Sequence, residues 1–287
     1  MKLIEFNATE RQKLSELFTG HLGGFIPDAI LDGHLGKAYA DDENPQFAVL
    51  ELPNAKVSIL GGDARHPLAG HYLKTLPRFT QLFFTSPDFV KLAQDVHPGK
   101  WIELERYAFS TEQLDMAHLQ DFSSQIPAGF RVIKIDLTIA KQLAERKNSF
   151  AAVHGMNFDT PEDFVSRGFG YCAVEGTNIA CVGSTFVICN KGIEIQIDTK
   201  KSYQGRRLAT AVAARLMIHS LENNLIPGWD AATDISARFA EKLGYRPQGK
   251  YTMLFFTDSK FLVSLRKNIH RMRRMGANYR RRFGLKD

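Results

Sequence analysis

The residues with the clearest chemical potential form a polar loop between an apolar strand and a helix. The strand, GIEIQIDT, covers residues 192–199, the loop KKSYQGRR follows it, and a helix is predicted from Leu208. Unpaired N–H groups at a helix start carry partial positive charge and attract phosphate. Gly205 permits close backbone approach to a ligand, and Arg206 and Arg207 add formal charge. The unit suits the pyrophosphate of a bulky cofactor, and it suits equally well a solvated basic turn before a core helix.

Predicted elements in the second half of the chain place this loop in a series of strands and helices. Asp159-Thr160-Pro161 caps a short helix, with Pro near the first turn, where its missing N–H is not needed. Gly244 suits the left-handed end of a later helix. The predicted strands are Arg131–Asp136, Tyr171–Val174, Ile179–Val187, Ile193–Thr199, Gly228–Ala231 and Tyr251–Phe256. The longer predicted helices are Thr138–Arg146, Leu208–Leu221 and Ile235–Leu243.

The first half mixes short helices and strands. Thr9 followed by Gln12 predicts a capped helix running to Phe18. A polar stretch with Pro and Gly, Asp121 to Phe130, is the predicted linker between the halves. The predicted strands are Phe47–Leu52 and Lys56–Leu60, which form a hairpin, then Leu82–Thr85 and Trp101–Phe109, with a helix from about Pro87 to Val96 between the last two.

Composition places the chain among ordinary globular proteins. It has 287 residues, 44% of them hydrophobic and 24% charged, and we find no apolar run near the roughly 20 residues needed to cross a membrane. The start of the chain turns polar too soon for a secretory signal. Three cysteines, too far apart for a CxxC pair, are expected to be buried reduced thiols of a cytoplasmic protein: Cys172, Cys181 and Cys189.

Basic charge is concentrated at the end of the chain. Residues 260–287 hold ten Lys and Arg against one acid, a net +9, so the remaining residues carry −3 of the total +6. This distribution argues against a nucleic-acid surface on the body of the protein. Four apolar residues repeat at helical spacing in this tail, namely Leu262, Leu265, Ile269 and Met272. The tail could dock on the body, lie on an anionic membrane or bind RNA or another polyanion; we favour docking.

Other chemical motifs are lacking. None of the nine histidines has HExxH or another metal-ligand spacing, so no metal is expected. The sequence also has no GxSxG element for a serine nucleophile.

The loop and its surroundings resemble one known family. The run IEIQIDTKKSYQGRRLATAVAARLM resembles the acetyl-CoA motif of the GNAT superfamily, whose Q/R-x-x-G-x-G/A signature falls at Gln204 to Ala209. The block WDAATDISARFAEKLGY resembles the narrower branch that includes the zwittermicin A resistance protein. Further matches are Glu105-Arg106-Tyr107-Ala108, Ile135-Asp136 and the stretch from Asp163 to Gly170, so the resemblance covers about Glu105 to Phe256.

The resemblance implies a cofactor and the residues that hold it. In GNAT enzymes the strand before the loop splays from its neighbour and pairs with the pantetheine arm of acetyl-CoA through main-chain groups, while backbone N–H groups of the loop hold the pyrophosphate. The cofactor-binding residues thus implied are Ile197, Asp198, Thr199, Gln204, Gly205, Arg206, Arg207, Leu208, Ala209 and Thr210.

The implied reaction is direct attack of an amine on the thioester. It needs orientation, one backbone donor for the oxyanion and a base for the ammonium proton. Glu194 occupies a position where many GNAT enzymes place such a carboxylate, and it faces away from its apolar neighbours Ile193 and Ile195. A partly desolvated carboxylate there would have a raised pKa and could take a proton, or it could be structural. Ser236 is the second candidate, either contacting the cofactor or serving as a helix N-terminal hydroxyl.

Three positions depart from the family pattern. Arg207 replaces a glycine, so it is strained by about 1 kcal/mol or more if φ is positive there, and otherwise could bind a phosphate directly. Ala240 stands where many members use a Tyr to protonate the thiolate; Tyr245 and Tyr203 are possible substitutes. Thr233 stands where the branch usually has Asn.

Together these observations predict an α/β protein with the α+β GNAT fold, a mixed, mostly antiparallel, splayed sheet flanked by helices. We divide it into an N-terminal α/β domain (1–125), which we interpret as a degenerate GNAT-like half that roofs the acceptor site, a GNAT domain (126–258) and the basic tail (259–287). The predicted function is acetyl transfer from acetyl-CoA to an amine of a small molecule. The alternative is a non-catalytic CoA-binding or polyanion-binding protein that uses the tail.

Overall fold

Two mixed β-sheets organise the protein in the computed structural model, which describes residues 2–21, 23–145 and 150–259. The strands are β1 Ile4–Phe6, β2 Lys37–Ala40, β3 Phe47–Leu52, β4 Val57–Gly62, β5 Gln81–Phe84, β6 Trp101–Ser110, β7 Arg131–Lys134, β8 Gly170–Glu175, β9 Asn178–Ile188, β10 Gly192–Thr199, β11 Ile226–Gly228, β12 Asp230–Ala231 and β13 Arg246–Phe256. The helices are α1 Ile26–Leu31, α2 Pro67–Lys74, α3 Asp88–Val96, α4 Met116–Ser124, α5 Leu137–Glu145, α6 Pro161–Arg167, α7 Leu208–Glu222 and α8 Asp234–Leu243.

An eight-stranded sheet has the order β1-β2-β3-β4-β5-β13-β6-β12, and a five-stranded sheet has the order β11-β10-β9-β8-β7. Only two of the adjacent pairs in the described residues are parallel, β4 with β5 and β10 with β11. The mixed, mostly antiparallel architecture flanked by helices is therefore confirmed. The predicted tail, with its apolar stripe, lies outside the described residues.

The chain passes from the five-stranded sheet to the eight-stranded sheet between β11 and β12, and this crossing forms the candidate site. Strands β10 and β11 pair in parallel over only three residues, Gly192–Glu194 with Ile226–Gly228. After Trp229 the chain changes sheet, and β12 pairs with Tyr107 and Ala108 of β6. The single predicted strand Gly228–Ala231 is therefore two short strands in different sheets. This leaves the last five residues of β10 paired on the β9 side alone within the described chain.

Helix α7 packs against the five-stranded sheet through the apolar face of β10. Ile193 is fully buried with Leu208, Val212 and Leu216, and each buried aliphatic side chain of this kind contributes about 1.5–3 kcal/mol. The helix approaches the sheet closely, since a Cβ built on Gly183 of β9 would lie 2.8 Å from Cγ1 of Val212. The predicted order of strand, loop and helix is thus confirmed, and apolar packing holds the helix against the sheet.

Several local predictions are confirmed. Thr160 caps α6 by accepting a hydrogen bond from the N–H of Asp163, and Gly244 ends α8 with φ +104°. The first predicted hairpin forms as β3 and β4. All three cysteines are free and buried, and burial raises the pKa of the thiols of Cys172 and Cys181 to about 12.

Two local predictions are wrong. Thr9 does not cap a helix: its hydroxyl donates to Oδ1 of Asn7, and a 3₁₀ helix begins only at Arg11. The polar stretch from Asp121 is not wholly a linker, since α4 continues to Ser124, capped at its start by the side chain of Asp115. In both cases a nearby polar side chain supplied a partner that the linear pattern did not show.

Helices in the described ranges all fall short of the length and apolar character required to cross a bilayer. The same ranges contain no group of three or more His, Cys, Asp or Glu suited to a metal ion.

Candidate active site

Glu194 lies at the point where β10 and β11 separate. Alternation along β10 places Ile193, Ile195 and Ile197 against α7 and its neighbouring core, so Glu194 faces the opposite side. The residue is 5% exposed. Its Oε2 accepts a hydrogen bond from the main-chain N–H of Phe25 at 3.1 Å, and its Oε1 has no partner among the described residues.

Glycines from two elements make room for this carboxylate. A Cβ built on Gly24 would overlap Oε2 of Glu194, and one built on Gly228 would lie 2.9 Å from it. Gly24 also has φ +58°, a conformation that favours glycine. The segment that leads into α1 therefore closes directly over the end of the carboxylate.

Burial raises the pKa of Glu194 to about 8. Desolvation is the main cause and the neighbouring charge of Asp230 adds to it, while the N–H of Phe25, the guanidinium of Arg106 and the N–H of Asp230 act in the opposite direction. A carboxylate with this pKa is suited to take a proton near neutral pH.

Asp230 forms a second buried carboxylate beside the first. Its Oδ2 accepts from Nε of Arg106 and from the hydroxyl of Tyr251, each at 2.8 Å, and its main-chain oxygen accepts from Nη2 of Arg106 at 3.3 Å. Burial raises the pKa of Asp230, and Arg106 opposes the rise. Its Oδ1 has no partner in the described chain. Arg106 also lies over the ring of Phe83, which ties the site to the eight-stranded sheet.

The polar face of β10 continues beyond Glu194 through Gln196 and Asp198. Nε2 of Gln196 donates to Oδ2 of Asp198 at 3.3 Å, and the same oxygen lies 3.3 Å from Nε2 of His154. Nδ1 of His154 is 2.6 Å from the hydroxyl of Ser184. Although the order Ser-His-Asp suggests a nucleophile, Ser184 is 0% exposed, so this chain of groups is structural.

The loop after β10 has the backbone expected of a phosphate-binding turn. Gly205 has φ +78° with nothing within 4 Å of a built Cβ, and Arg207 is left-handed at φ +60° immediately before α7. Arg207 therefore carries the strain of about 1–2 kcal/mol that a side chain meets in this region. The guanidinium of Arg206 lies over the rings of Tyr203 and Phe130, and Nε2 of Gln204 donates to the oxygen of Thr199.

A cavity of about 260 Å³ opens beside this loop. It lies at the end of α4, the start of α7 and the side of α8, and its lining consists of Phe122, Gln125, Arg207, Thr210 and Lys242. Nζ of Lys242 donates to the hydroxyl of Thr210 at 3.1 Å and lies over the ring of Phe122. Two cations and the start of a helix thus face one cavity, which suits a phosphorylated ligand.

Ser236 lies in the first turn of α8. Thr233 caps this helix by accepting from the N–H of Ser236, so the hydroxyl of Thr233 fulfils the capping role that Asn would have. Oγ of Ser236 accepts from the indole N–H of Trp229 at 3.2 Å. Trp229 directly follows Gly228, which pairs with Glu194, so Ser236 is linked to Glu194 through Trp229 and not by a hydrogen bond of its own.

None of the three residues considered as proton donors to the leaving thiolate is placed for that role. Ala240 is fully buried in the core. The hydroxyl of Tyr245 donates to the main-chain oxygen of Pro227 inside the core, and burial holds its pKa well above the ordinary value. The hydroxyl of Tyr203 donates to Glu175.

Sequence reasoning missed Arg106, Asp230 and Lys242 as site residues. Each lies within a block that carried the family resemblance, so membership of those blocks was the available signal. It also missed Gly24 and Phe25, for which the sequence holds no local signal, because their role comes from a contact with Glu194 across the fold.

The residues present fit acetyl-CoA. The unpaired edge of β10 can bond an extended pantetheine arm through Ile197 to Thr199, and the donors of Gly205 to Thr210 with Lys242 can hold phosphates.

Comparisons with known proteins agree with this geometry. The family model described as GNAT acetyltransferase matches residues 15–254. The uncharacterised N-acetyltransferase YdfB of Bacillus subtilis (strain 168) is 25% identical over 260 residues, which is 85% of this chain and 96% of the relative.

Solved structures show the same fold. A GCN5-related N-acetyltransferase-like protein from Streptococcus suis 89/1591 superimposes with a TM-score of 0.76 at 25% identity, over 88% of this chain and all of the other. A tandem GNAT protein from the clavulanic acid biosynthesis pathway superimposes with a TM-score of 0.57 at 12% identity, over 89% of this chain and 98% of the other. The second likeness concerns the fold alone.

Proposed function

Because the chain belongs to the GNAT acetyltransferase family, we propose that this acyltransferase moves an acetyl group from acetyl-CoA to an amine of a small molecule by direct attack. The observation that carries the proposal is Glu194, a buried carboxylate with one unpartnered oxygen where β10 and β11 separate. That position adjoins the unpaired edge of β10.

Acetyl-CoA, when bound, supplies an acyl group activated as a thioester. Main-chain groups of Ile197, Asp198 and Thr199 hold the pantetheine arm, and N–H groups from Gly205 to Thr210 hold the pyrophosphate. Arg207 and Lys242 add positive charge in the cavity beside α7. The side chains of Gln204 and Arg206 order the loop through Thr199 and Tyr203, and Leu208 anchors the helix in the core.

Glu194 is the base of the proposed reaction. A carboxylate with a pKa of about 8 is partly ionised near neutral pH and accepts a proton from the substrate ammonium, which leaves a neutral amine. Asp230, fixed by Arg106 and Tyr251, raises the proton affinity of Glu194 by its negative charge. Ser236 accepts from Trp229 and so keeps its own hydrogen available to donate to the bound cofactor.

The first half of the chain forms the roof over this site in our proposal. Phe25 and Gly24 close over Glu194, and strands β4 and β5 repeat the parallel pairing of β10 and β11 without parting, over four residues from Val57 to Leu60. This parallel pair supports the interpretation of residues 1–125 as a degenerate GNAT-like half, followed by a GNAT domain at 126–258. The resemblance of the WDA block to the zwittermicin A resistance branch supports a small-molecule substrate. The cytoplasmic location remains a prediction.

Calorimetry with acetyl-CoA followed by thiol release with a panel of amines tests the proposal. We expect binding, and turnover with at least one small amine. A chain that bound no acetyl-CoA would refute the cofactor assignment together with the reaction.

The second candidate is a non-catalytic protein that holds coenzyme A. Two observations favour it, the strained Arg207 in place of glycine and the buried Ala240 in place of a tyrosine acid. Tight binding of acetyl-CoA without turnover of any amine would support this candidate over the enzyme. Polyanion binding by the basic tail belongs to the same alternative and concerns residues outside those described.

A further inference from the structure

Nε2 of His154, which lies 3.3 Å from Asp198, has no hydrogen-bond partner among the described residues, and neither have four buried side-chain oxygens on or near the polar face of β10. They are Oε1 of Glu194, Oε1 of Gln196, Oδ1 of Asp230 and Oδ1 of Asn157. Buried polar atoms in folded proteins nearly always have a partner, so these oxygens indicate donors that a ligand or water supplies. Three of these oxygens accept hydrogen bonds, and Oε1 of Glu194 accepts once its carboxyl group has ionised, so the missing partner is rich in N–H or O–H groups.

The orientation of the two amides is fixed by their other ends. Nε2 of Gln196 donates to Asp198, and Nδ2 of Asn157 donates to the main-chain oxygen of Phe186 at 2.9 Å. A flipped amide would place oxygen against oxygen in both cases. Phe186 is the extra residue of β9 opposite the step from Glu194 to Ile195, so Asn157 lies over the same stretch of sheet as the other three groups.

Charge at this face also favours a cation. The two carboxylates of Glu194 and Asp230 are balanced by the guanidinium of Arg106, whose Nε and Nη2 bond Asp230. With both carboxylates ionised this trio carries a net charge of −1. An ammonium group brings three donors and the compensating charge.

Two side chains on the polar face of β10 could each bind one donor group of a ligand. Glu194 and Gln196 are two residues apart on one face of β10, a distance of about 6–7 Å. We infer that the amine substrate carries a second N–H donor about 6–7 Å from its reacting nitrogen. Glu194 and Asp230 hold the reacting nitrogen. Gln196 and Asn157 hold the second donor. Oδ2 of Asp198, which accepts from Gln196 and lies 3.3 Å from Nε2 of His154, adds negative charge beside the second group. This inference rests on the proposed function and narrows its substrate class to diamines and related compounds.

Calorimetry on the full chain saturated with coenzyme A tests the inference with defined probes. The probes are 1,4-diaminobutane, whose length approaches the spacing, 1,2-diaminoethane, which is too short, and 1-aminobutane, which lacks the second donor. We expect 1,4-diaminobutane to bind about 10-fold tighter than 1-aminobutane, because a charged second donor gains one further hydrogen bond, and 1,2-diaminoethane to show no such gain.

Substitution of Gln196 tests whether this residue causes the tighter binding of 1,4-diaminobutane. Gln196→Met should bring the affinity ratio of 1,4-diaminobutane to 1-aminobutane close to one. The same substitution at Gln142, an exposed residue of α5, is the matched control and should keep the wild-type ratio. If Gln196→Met no longer binds coenzyme A, Gln196→Glu replaces it, and its added charge should increase the ratio.

The outcomes separate the two proposals. Failure to bind coenzyme A would refute the proposed function. Coenzyme A could bind normally while 1,4-diaminobutane and 1-aminobutane bind with equal affinity, or while neither amine binds. Either result would leave the cofactor assignment intact and overturn the inference of a second donor. The four oxygens would then be assigned to water.

Discussion

The main-chain N–H of Phe25 donates to the carboxylate of Glu194 over 3.1 Å, although 169 residues separate them in the chain. The candidate base is therefore held between the segment that leads into α1 and the strand that precedes the predicted phosphate-binding loop. The burial of Glu194, which raises its pKa, involves this contact between the two halves of the chain, and the following predictions concern that site.

Substitution of Glu194 by Gln should lower kcat/KM by about 10²–10⁴-fold, the usual contribution of a general base. Because the wild-type pKa is raised to about 8, wild-type activity should rise with pH through that value as the carboxylate ionises. Glu194→Gln should lack this rise. A pH–rate profile measured for both proteins with one amine decides the matter, and identical profiles would exclude Glu194 as the base.

Glu194 should also make stability depend on pH. Its pKa is about 8 when folded against an ordinary 4.5, so between these values the folded chain holds a proton that the unfolded chain has lost. The contribution of Glu194 is complete below about pH 4.5 and declines as pH rises toward 8. Urea unfolding across this range should show a steeper decline for the wild type than for Glu194→Gln, and parallel curves would contradict the raised pKa.

Asp230→Asn should shift the rise in activity to lower pH. The negative charge of Asp230 is one cause of the raised pKa of Glu194, so its removal lets Glu194 ionise more easily. The measurement is the pH–rate profile of the variant against the wild type. A shift to higher pH would show that the released Arg106 no longer acts on Glu194, contrary to the geometry described above.

Gly24→Ala should destabilise the fold more than a matched glycine substitution. Gly24 has φ +58° and Gly176 has φ +59°, so alanine meets the same backbone strain at both, about 1–2 kcal/mol. Only at Gly24 would the Cβ overlap the carboxylate of Glu194, whereas nothing lies within 4 Å at Gly176. Overpacking of this kind adds about 1–3 kcal/mol to the loss in the free energy of unfolding. Equal losses for Gly24→Ala and Gly176→Ala would refute the close contact.

Lys242→Met should raise KM for acetyl-CoA by about 10–100-fold, since a charged hydrogen bond contributes about 1.5–3 kcal/mol. The loss should appear in KM rather than in kcat, because the interaction is remote from the reacting atoms. Lys141→Met on α5 removes a cation paired with Glu162 away from the cavity and is the control. Equal KM values for the two variants would remove Lys242 from the cofactor site.

The sequence predicted most of the second half because its signals are local. The apolar neighbours Ile193 and Ile195 predicted that Glu194 faces away from them, and the composition of the loop predicted the start of α7. Glu194 could be named from its place in that alternation. The sequence could state its raised pKa only as a condition, because the burial and the charge of Asp230 that raise the pKa come from distant parts of the chain.

Other features could not be read from local patterns. The segment Gly228–Ala231 looks like one strand, yet its two ends pair with different sheets, and periodicity carries no information about pairing partners. The same holds for β13, whose apolar residues predict a strand and do not reveal that it lies between β5 and β6. The division at residues 125 and 258 stays a prediction for the same reason.

The position of β13 has a consequence for how the chain is made. The eight-stranded sheet holds a gap between β5 and β6 until residues 246–256 arrive, and these are among the last described residues to leave the ribosome. The first half therefore waits for the second during synthesis, with the flanks of β5 and β6 unpaired in the interval. Completion of the eight-stranded sheet is therefore a late event, whereas the five-stranded sheet needs no strand beyond β11, and the long-range pairing of β13 should make folding slow.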